Sequence, residues 1–340
     1  MSEIAFPFLG TAFVVLVVLP ACALIAKALL WTLEHVETRG PLHGLRLRYL
    51  VLTGSSLLPL AWLLSAALHQ AETGRSVVSC LFDHDTAALC FEPGLFTALL
   101  SALIVWSSVK ELRHTRGARP SSSPNATALQ QRMVRIVSTR WELQALAHSI
   151  YVTDELDYAI GVQGFLAPHV VVGLAYARGI SDEELACALG HEAEHVRARD
   201  PLRYLVLSLA LAVNPFGRQW LQPHATSWLA AREAHCDREA VIRGAGPLAL
   251  AQALIRAARP GVCPAAALGA RSASLLKLRV EMLMAFEERT PTRCCHREPS
   301  SILIVAALFI VAALLPHHAG TAALDALHFG TEHALHFFWR

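Results

Sequence analysis

Four apolar runs punctuate this chain, at residues 4–33, 49–68, 95–109 and 302–315, with polar or mixed sequence between them. About 20 helical residues are needed to cross the hydrocarbon of a bilayer. The first two runs reach that length, and the first contains a single charge, Lys27. It is also too long for a cleaved signal peptide and has no basic leader. The third run, extended by Phe91 and bounded by Lys110, and the fourth are short, a length shared with buried and interfacial helices. The pattern predicts three membrane helices within residues 1–110 and a fourth at 299–316.

Between the third and fourth runs the periodicity changes. Residues 116–128 (RGARPSSSPNATA) are rich in Pro, Ser and small residues, which predicts a flexible linker over 111–129. Residues 130–148 then place Met133, Val134, Val137 and Leu143 among polar positions, as in an amphipathic helix. Short strand-like pieces follow at 150–152 and 169–173. Ser181 with Asp182, Glu183 and Glu184 reads as a capped helix start, and 228–243 as another helix. These elements predict an α+β domain over 130–298. The strand at 169–173 is expected to offer an edge on which an extended peptide can lie.

Composition agrees with a membrane protein: 54% of residues are hydrophobic and 16% charged, with a mean hydropathy of +0.42. Arg39, Arg46 and Arg48 lie between the first two runs, and Lys110, Arg113, Arg116 and Arg119 follow the third. The positive-inside rule assigns both segments to the cytoplasm. The loop between the second and third runs holds Glu72, Asp83, Asp85 and Glu92 against Arg75, which suits the outer face, and both termini then face outward. Cys80 and Cys90 share that outer loop and are either a disulfide or two free thiols. Cys22, Cys187, Cys236, Cys263, Cys294 and Cys295 are expected to be reduced; Cys294-Cys295-His296 could bind a metal, but vicinal residues reach one ion only in poor geometry, and the rest have no metal-ligand spacing. A net charge of +2, with the basic residues where membrane topology wants them, gives no support to direct nucleic-acid binding.

The chemistry is concentrated in Gly190-His191-Glu192-Ala193-Glu194-His195. Helical residues i and i+4 share a face, so His191 and His195 can aim at one zinc ion. Glu192 then lies beside the metal, where a carboxylate can take a proton from an attacking water and pass it to a leaving amine. Downstream, Glu233 can supply a third ligand, and Asp237, one turn on, can accept a hydrogen bond from a ligand histidine's other ring nitrogen. Two histidines, one glutamate and an open fourth position describe a catalytic rather than a structural site. His235 and Arg232 are the nearby candidates for a second donor to a transition-state oxyanion. The apolar stretch 204–213 lies between the two halves of this site. A single crossing there would separate His191 from Glu233 by a bilayer. A return through 218–224 looks too polar, so the stretch is expected to dip into or lie along the inner membrane face, with Trp220 and Trp228 near the interface.

The run HEAEHVRARDPL, then Asn214-Pro215-Phe216, then REAHCD resembles the membrane metallopeptidases typified by the bacterial beta-lactam receptors of the BlaR/MecR type. The similarity spans about residues 159–243 and includes the approach segment 164–172 and the Arg197-Ala198-Arg199-Asp200 run. It implies His191, His195 and Glu233 as zinc ligands, Glu192 as general base and Asp237 as the carboxylate behind a ligand. It also implies a zincin-like (gluzincin) fold. A more distant likeness is to the HtpX-like and prenyl-protein membrane proteases. The receptors carry a large outer sensor domain after the last span, where this chain has only 317–340. That tail includes His317, His318, His328, His333 and His336, which suit a metal or proton sensor, while Leu324, Leu327 and Phe329 suit an amphipathic surface helix.

The resulting expectation is an α-helical, multi-span protein of the bacterial inner membrane with a cytoplasmic zincin-like α+β metalloprotease domain. Zinc is its expected cofactor and a protein or peptide its expected substrate, a transcriptional repressor or the enzyme itself. The exposed segments 116–128 and 289–297 are the candidates for self-cleavage. The alternatives are a quality-control protease of membrane proteins and a non-catalytic zinc-binding signalling scaffold. An intact Glu192 argues against the scaffold.

Overall fold

The computed structural model describes residues 12, 14–36, 44–73, 93–114, 123–154, 159–214, 216–258 and 273–287. Cys80, Cys90, Cys263, Cys294 and Cys295, the fourth apolar run and the histidine-rich tail lie outside them. The described chain is mostly helical, with one small sheet.

A π-helical turn at Val14–Val18 leads into α1, Leu19–Val36, and two long helices follow, α2 (Leu45–Thr73) and α3 (Pro93–His114). Val14–Glu34, with mean hydropathy 2.4, is long and apolar enough to cross a membrane, and among the described residues it is the one segment that is. One third of it is buried, while Leu16, Leu24, Ile25, Leu29 and Trp31 are exposed on its outer face. The second and third expected spans both fall within helices, α2 and α3.

Helix α4, Pro124–Thr139, begins six residues earlier than the hydrophobic pattern suggested. Ser123 is its N-cap and accepts from Ala126 N, and Pro124 sits at the first helical position, where its missing N–H costs nothing. The Ser-Pro signal read as linker is therefore a helix start. A 3₁₀ turn, Trp141–Leu146, completes the segment predicted as continuous helix.

Strands β1 (Ile150–Thr153), β2 (Ile160–Gln163) and β3 (His169–Gly173) form a sheet in the order β1-β3-β2. β3 pairs in parallel with β1, Val172 opposite Val152, and antiparallel with β2, Val170 opposite Val162. The strand expected at an edge is thus central, and its Val170, Val171 and Val172 are fully buried. A strand apolar on both faces belongs inside a sheet. β2 gives no clear strand signal in the sequence, because Ile160-Gly161-Val162-Gln163 is short and carries a glycine.

After the short α5 (Leu174–Arg178) come α6 (Asp182–Ala198), α7 (Asp200–Val213), α8 (Gly217–Ile242), α9 (Pro247–Ala257) and α10 (Ala273–Glu287). One core joins Met133, Ile136 and Val137 of α4 to the sheet and to Leu185, Leu189 and Ala193 of α6. A second joins Ala23, Ala26 and Leu30 of α1 and Tyr49 and Leu52 of α2 to Leu207 and Leu211 of α7 and Leu221, Ala225 and Trp228 of α8.

Helices α7 and α8 form a hairpin, and residues 218–224, expected to be too polar for a return crossing of a membrane, lie at the start of its return leg. Gly217, Leu221, Ala225 and Trp228 recur at helical spacing and are buried, while Arg218, Gln219, Gln222 and Pro223 point outward. At the tip, Asn214 donates to Leu19 O at 2.8 Å and accepts from the backbone N–H of Phe216 and Gly217. Gly217 is required there, since a Cβ would lie 2.9 Å from that of Asn214. Trp228 donates its indole N–H to Leu45 O at 2.8 Å, at the start of α2, whereas Trp220 stacks on Phe216 near the tip.

Candidate metal centre

Helix α6 is fixed at both ends. Ser181 Oγ accepts from Glu184 N at 3.2 Å and Ser181 N donates to Glu184 Oε2 at 2.7 Å, a closed capping box. Asp182, Glu183 and Glu184 place negative charge on the positive end of the helix dipole. At the other end Arg199 is left-handed, with φ 54°, the one described non-glycine residue with positive φ. That turn ends α6 and starts α7 with Asp200.

The histidines meet where the helical spacing put them. Their Nε2 atoms lie 3.1 Å apart, and Glu233 of α8 faces both, Oε2 at 3.5 Å from His191 Nε2 and Oε1 at 3.5 Å from His195 Nε2. Each Nδ1 meets its own carboxylate: Asp237 Oδ1 lies 2.8 Å from His191 Nδ1, somewhat out of hydrogen-bond line, and Asp200 Oδ2 lies 2.7 Å from His195 Nδ1. With the Nδ1 proton of each ring drawn toward its carboxylate, both Nε2 atoms are left as acceptors, pointing with Glu233 at one place. Three lone-pair donors converging on one point repel each other unless a cation sits among them.

The spacing suits one. A tetrahedral zinc with bonds of about 2.0–2.1 Å separates its ligand atoms by about 3.3–3.4 Å. The separations of 3.1, 3.5 and 3.5 Å bracket that value. His191, His195 and Glu233 can hold a metal ion. His195, Asp200 and Cys236 form a second such group, but it shares His195 through Nδ1, which Asp200 already engages. The residues present therefore fit a zinc ion on the Nε2 side.

The electrostatics favour positive charge. Burial pushes the His191 pKa down, but Asp237 and then Glu233 outweigh it and the net shift is upward. Burial would likewise raise Glu233, yet His195, His191 and Arg279 hold it well below the usual carboxylate range. Glu192 is buried beside them, its pKa raised first by burial, and it makes no hydrogen bond or ion pair among the described residues.

Several residues here escaped the sequence reading. Asp200 accepts from Arg232 Nε at 2.8 Å and Arg203 Nη1 at 3.1 Å as well as engaging His195. Arg232 is thereby committed to Asp200, away from the oxyanion role considered for it. His235 is half-buried, its pKa pushed down to about 4 by burial, Arg232 and Arg238. Tyr204 Oη lies 3.5 Å from Glu233 Oε1. Arg279, from α10, reaches Asp237 and Glu233. Asp200 stands out in the sequence only as part of the Arg197–Asp200 run, and its partnership depends on the turn at Arg199. Arg279 carried no signal at all.

The chain matches no protein-family model, no curated protein and no solved structure.

Proposed function

We propose that this chain is a membrane-embedded zinc endopeptidase whose zincin-like catalytic domain faces the cytoplasm of a bacterial cell. The observation that carries the reading is the convergence of His191, His195 and Glu233 with Glu192 unpartnered beside them. When bound, zinc polarises a scissile carbonyl and lowers the pKa of an attacking water.

The protein's own groups do the rest. Glu192 takes the proton of that water and hands it to the leaving nitrogen, and its buried position favours holding the proton between the two transfers. Asp237 and Asp200 keep the proton of each histidine on Nδ1, so that Nε2 presents its lone pair. Substrate lies along β2, not β3. Gly173 N donates to Ala159 O at 2.7 Å, and this parity turns the backbone groups of Ile160 and Val162 away from β3 and toward an incoming strand. β2 packs against α6, which brings such a peptide beside the metal ligands.

The membrane reading rests on Val14–Glu34, joined by α2 and α3 as further spans. With 29 residues, α2 is about 43 Å long, enough to cross with tilt. The α7–α8 hairpin then enters the bilayer beside α1 and returns, leaving the site at its cytoplasmic foot. The likeness to the BlaR/MecR peptidases supports regulated cleavage of a repressor or of the enzyme itself.

The test compares wild type with Glu192→Gln, purified in detergent, for bound zinc and for fragments released from host membrane and cytosolic protein. Equal zinc with fragments from wild type alone supports the reading. Fragments from both sink the assignment of Glu192, and zinc without fragments from either favours the scaffold.

A further inference from the structure

Arg279 lies on α10, 42 residues beyond Asp237 in sequence, and is 7% exposed. Its Nε donates to Asp237 Oδ2 at 2.6 Å and its Nη2 to Asp237 Oδ1 at 2.8 Å, a bidentate fork. Its Nη1 lies 3.2 Å from Glu233 Oε2. One planar group therefore spans two carboxylates of α8, Asp237 and Glu233. One of these is the proposed third ligand and the other stands behind His191.

We propose that Arg279 is a positioning residue of the metal centre: it fixes the orientation of Glu233 and of the Asp237–His191 pair, so that α10 completes a site whose ligands all come from α6 and α8. This rests on the zinc reading above and adds to it a control of metal affinity and ligand geometry from outside the ligand-bearing helices.

The geometry separates positioning from a plain counter-charge. Asp237 and Glu233 are one turn apart on α8, and each carboxylate can rotate about its own side chain. A fork bonded to both oxygens of Asp237 removes that freedom for Asp237, and the third nitrogen restrains one oxygen of Glu233, leaving Oε1 toward His195 Nε2. A lysine has the charge but no rigid fork and cannot hold both carboxylates in fixed planes. Arg279 Nη2 also lies 3.5 Å from His191 Nε2, but this is at the long limit of a hydrogen bond and does not compete with the 2.6 and 2.8 Å contacts. Nor does the guanidinium make the centre repel a cation. Glu192, Asp200, Glu233 and Asp237 supply four carboxylates against the three guanidiniums of Arg203, Arg232 and Arg279.

The test uses the full-length protein in detergent, stripped of metal, with Co²⁺ as an optical probe and Zn²⁺ affinity measured by chelator competition. Arg279→Gln is expected to weaken Zn²⁺ binding about 10–100-fold, the usual effect of removing a ligand's outer partner, and to alter the Co²⁺ visible spectrum. Arg279→Lys keeps the charge, and with it the fold, and should still show the altered spectrum. In Arg279→Ala, added guanidinium ion at low millimolar concentration should restore the wild-type spectrum. Wild-type affinity and spectrum in the Gln and Lys variants would overturn the proposal, as would tighter binding, which would make Arg279 a mere source of repulsion. If wild type itself binds neither ion, the zinc reading fails first.

Discussion

Asp200 Oδ2 sits 2.7 Å from His195 Nδ1, although the two residues are five apart in sequence and belong to different helices. On a continuous helix a residue five positions on is rotated about 140° away and cannot reach back. The break at Arg199 makes the contact. Its left-handed backbone turns the chain so that the first residue of α7 points under the last turn of α6. Asp200 is fully buried and ionised, its pKa held to about 2, where Arg232, His195 and Arg203 outweigh the burial that would raise it. Asp200→Asn should therefore act twice. It weakens zinc binding about 10–100-fold through the loss of His195 orientation. It also destabilises the protein by about 3–5 kcal/mol, because Arg232 and Arg203 are left buried without their anion. Chelator competition and thermal melting of the same sample measure the two effects separately.

The turn itself can be tested at Arg199. Its side chain is exposed, so the residue matters through its backbone. Left-handed conformation costs an L-residue about 1–2 kcal/mol, and glycine avoids that cost while adding some unfolded-state entropy. Arg199→Gly should leave the melting temperature equal or a few degrees higher, and Arg199→Val should lower it. A clear loss in the glycine variant would show that the arginine side chain, not the turn, is what matters.

How much of this site could be read beforehand depends on how far each contact lies along one helix. His191, Glu192 and His195 share a regular helix, and Glu233 and Asp237 another, so their spacing alone carried them. Asp200 needed a helix break that no glycine announced. Arg279 needed the packing of α10 on α8, which follows from a core shared by Leu283, Ala240 and Leu250 rather than from any motif. The fold divides in the same way. The amphipathic and apolar helices were visible as periodicity, but strand order was not, because β2, which takes the edge beside β3, is four residues long and carries a glycine. The polar face of 218–224 hid a buried stripe of small and apolar residues, Gly217, Leu221 and Ala225, that only the hairpin partner reveals.

The start of α6 gives a pH-dependent prediction. Burial would raise the Glu184 pKa, but its bonds to Ser181 and Arg256 outweigh this and lower it. A carboxylate lowered on folding stabilises the native state above its unfolded pKa of about 4.3 and loses that contribution as pH falls through its folded pKa. Ser181→Ala removes one side of the capping box and should cost about 0.5–2 kcal/mol at neutral pH. The deficit should shrink in acid, once the pH has fallen below the lowered folded-state pKa and Glu184 is protonated in both proteins. Parallel urea titrations at the two pH values decide it, and a deficit independent of pH would mean that the cap alone, without Glu184, holds the helix start.

The hairpin tip ties the apolar helices to the metal centre. Asn214 is fully buried and satisfies Leu19 O, Phe216 N and Gly217 N with one side chain, and α8 then runs from that tip to Glu233. Asn214→Ala leaves these three backbone groups without their partner, at about 1–3 kcal/mol for a buried group left unpaired. Gly217→Ala presses a Cβ to 2.9 Å of Asn214 Cβ and should damage the same joint without removing a hydrogen bond. Both variants are expected to lose thermal stability, and both should narrow the difference in melting temperature between zinc-loaded and chelated protein. Saturating zinc at a thousand times its dissociation constant stabilises the folded state by about 4 kcal/mol, and any loss of affinity reduces that figure directly. Glu192→Gln serves as the control, because it removes the proposed base while leaving every ligand, and its zinc-dependent shift should equal that of wild type. If Asn214→Ala melts earlier but keeps the full zinc shift, the tip supports the fold alone and the position of Glu233 is set elsewhere along α8.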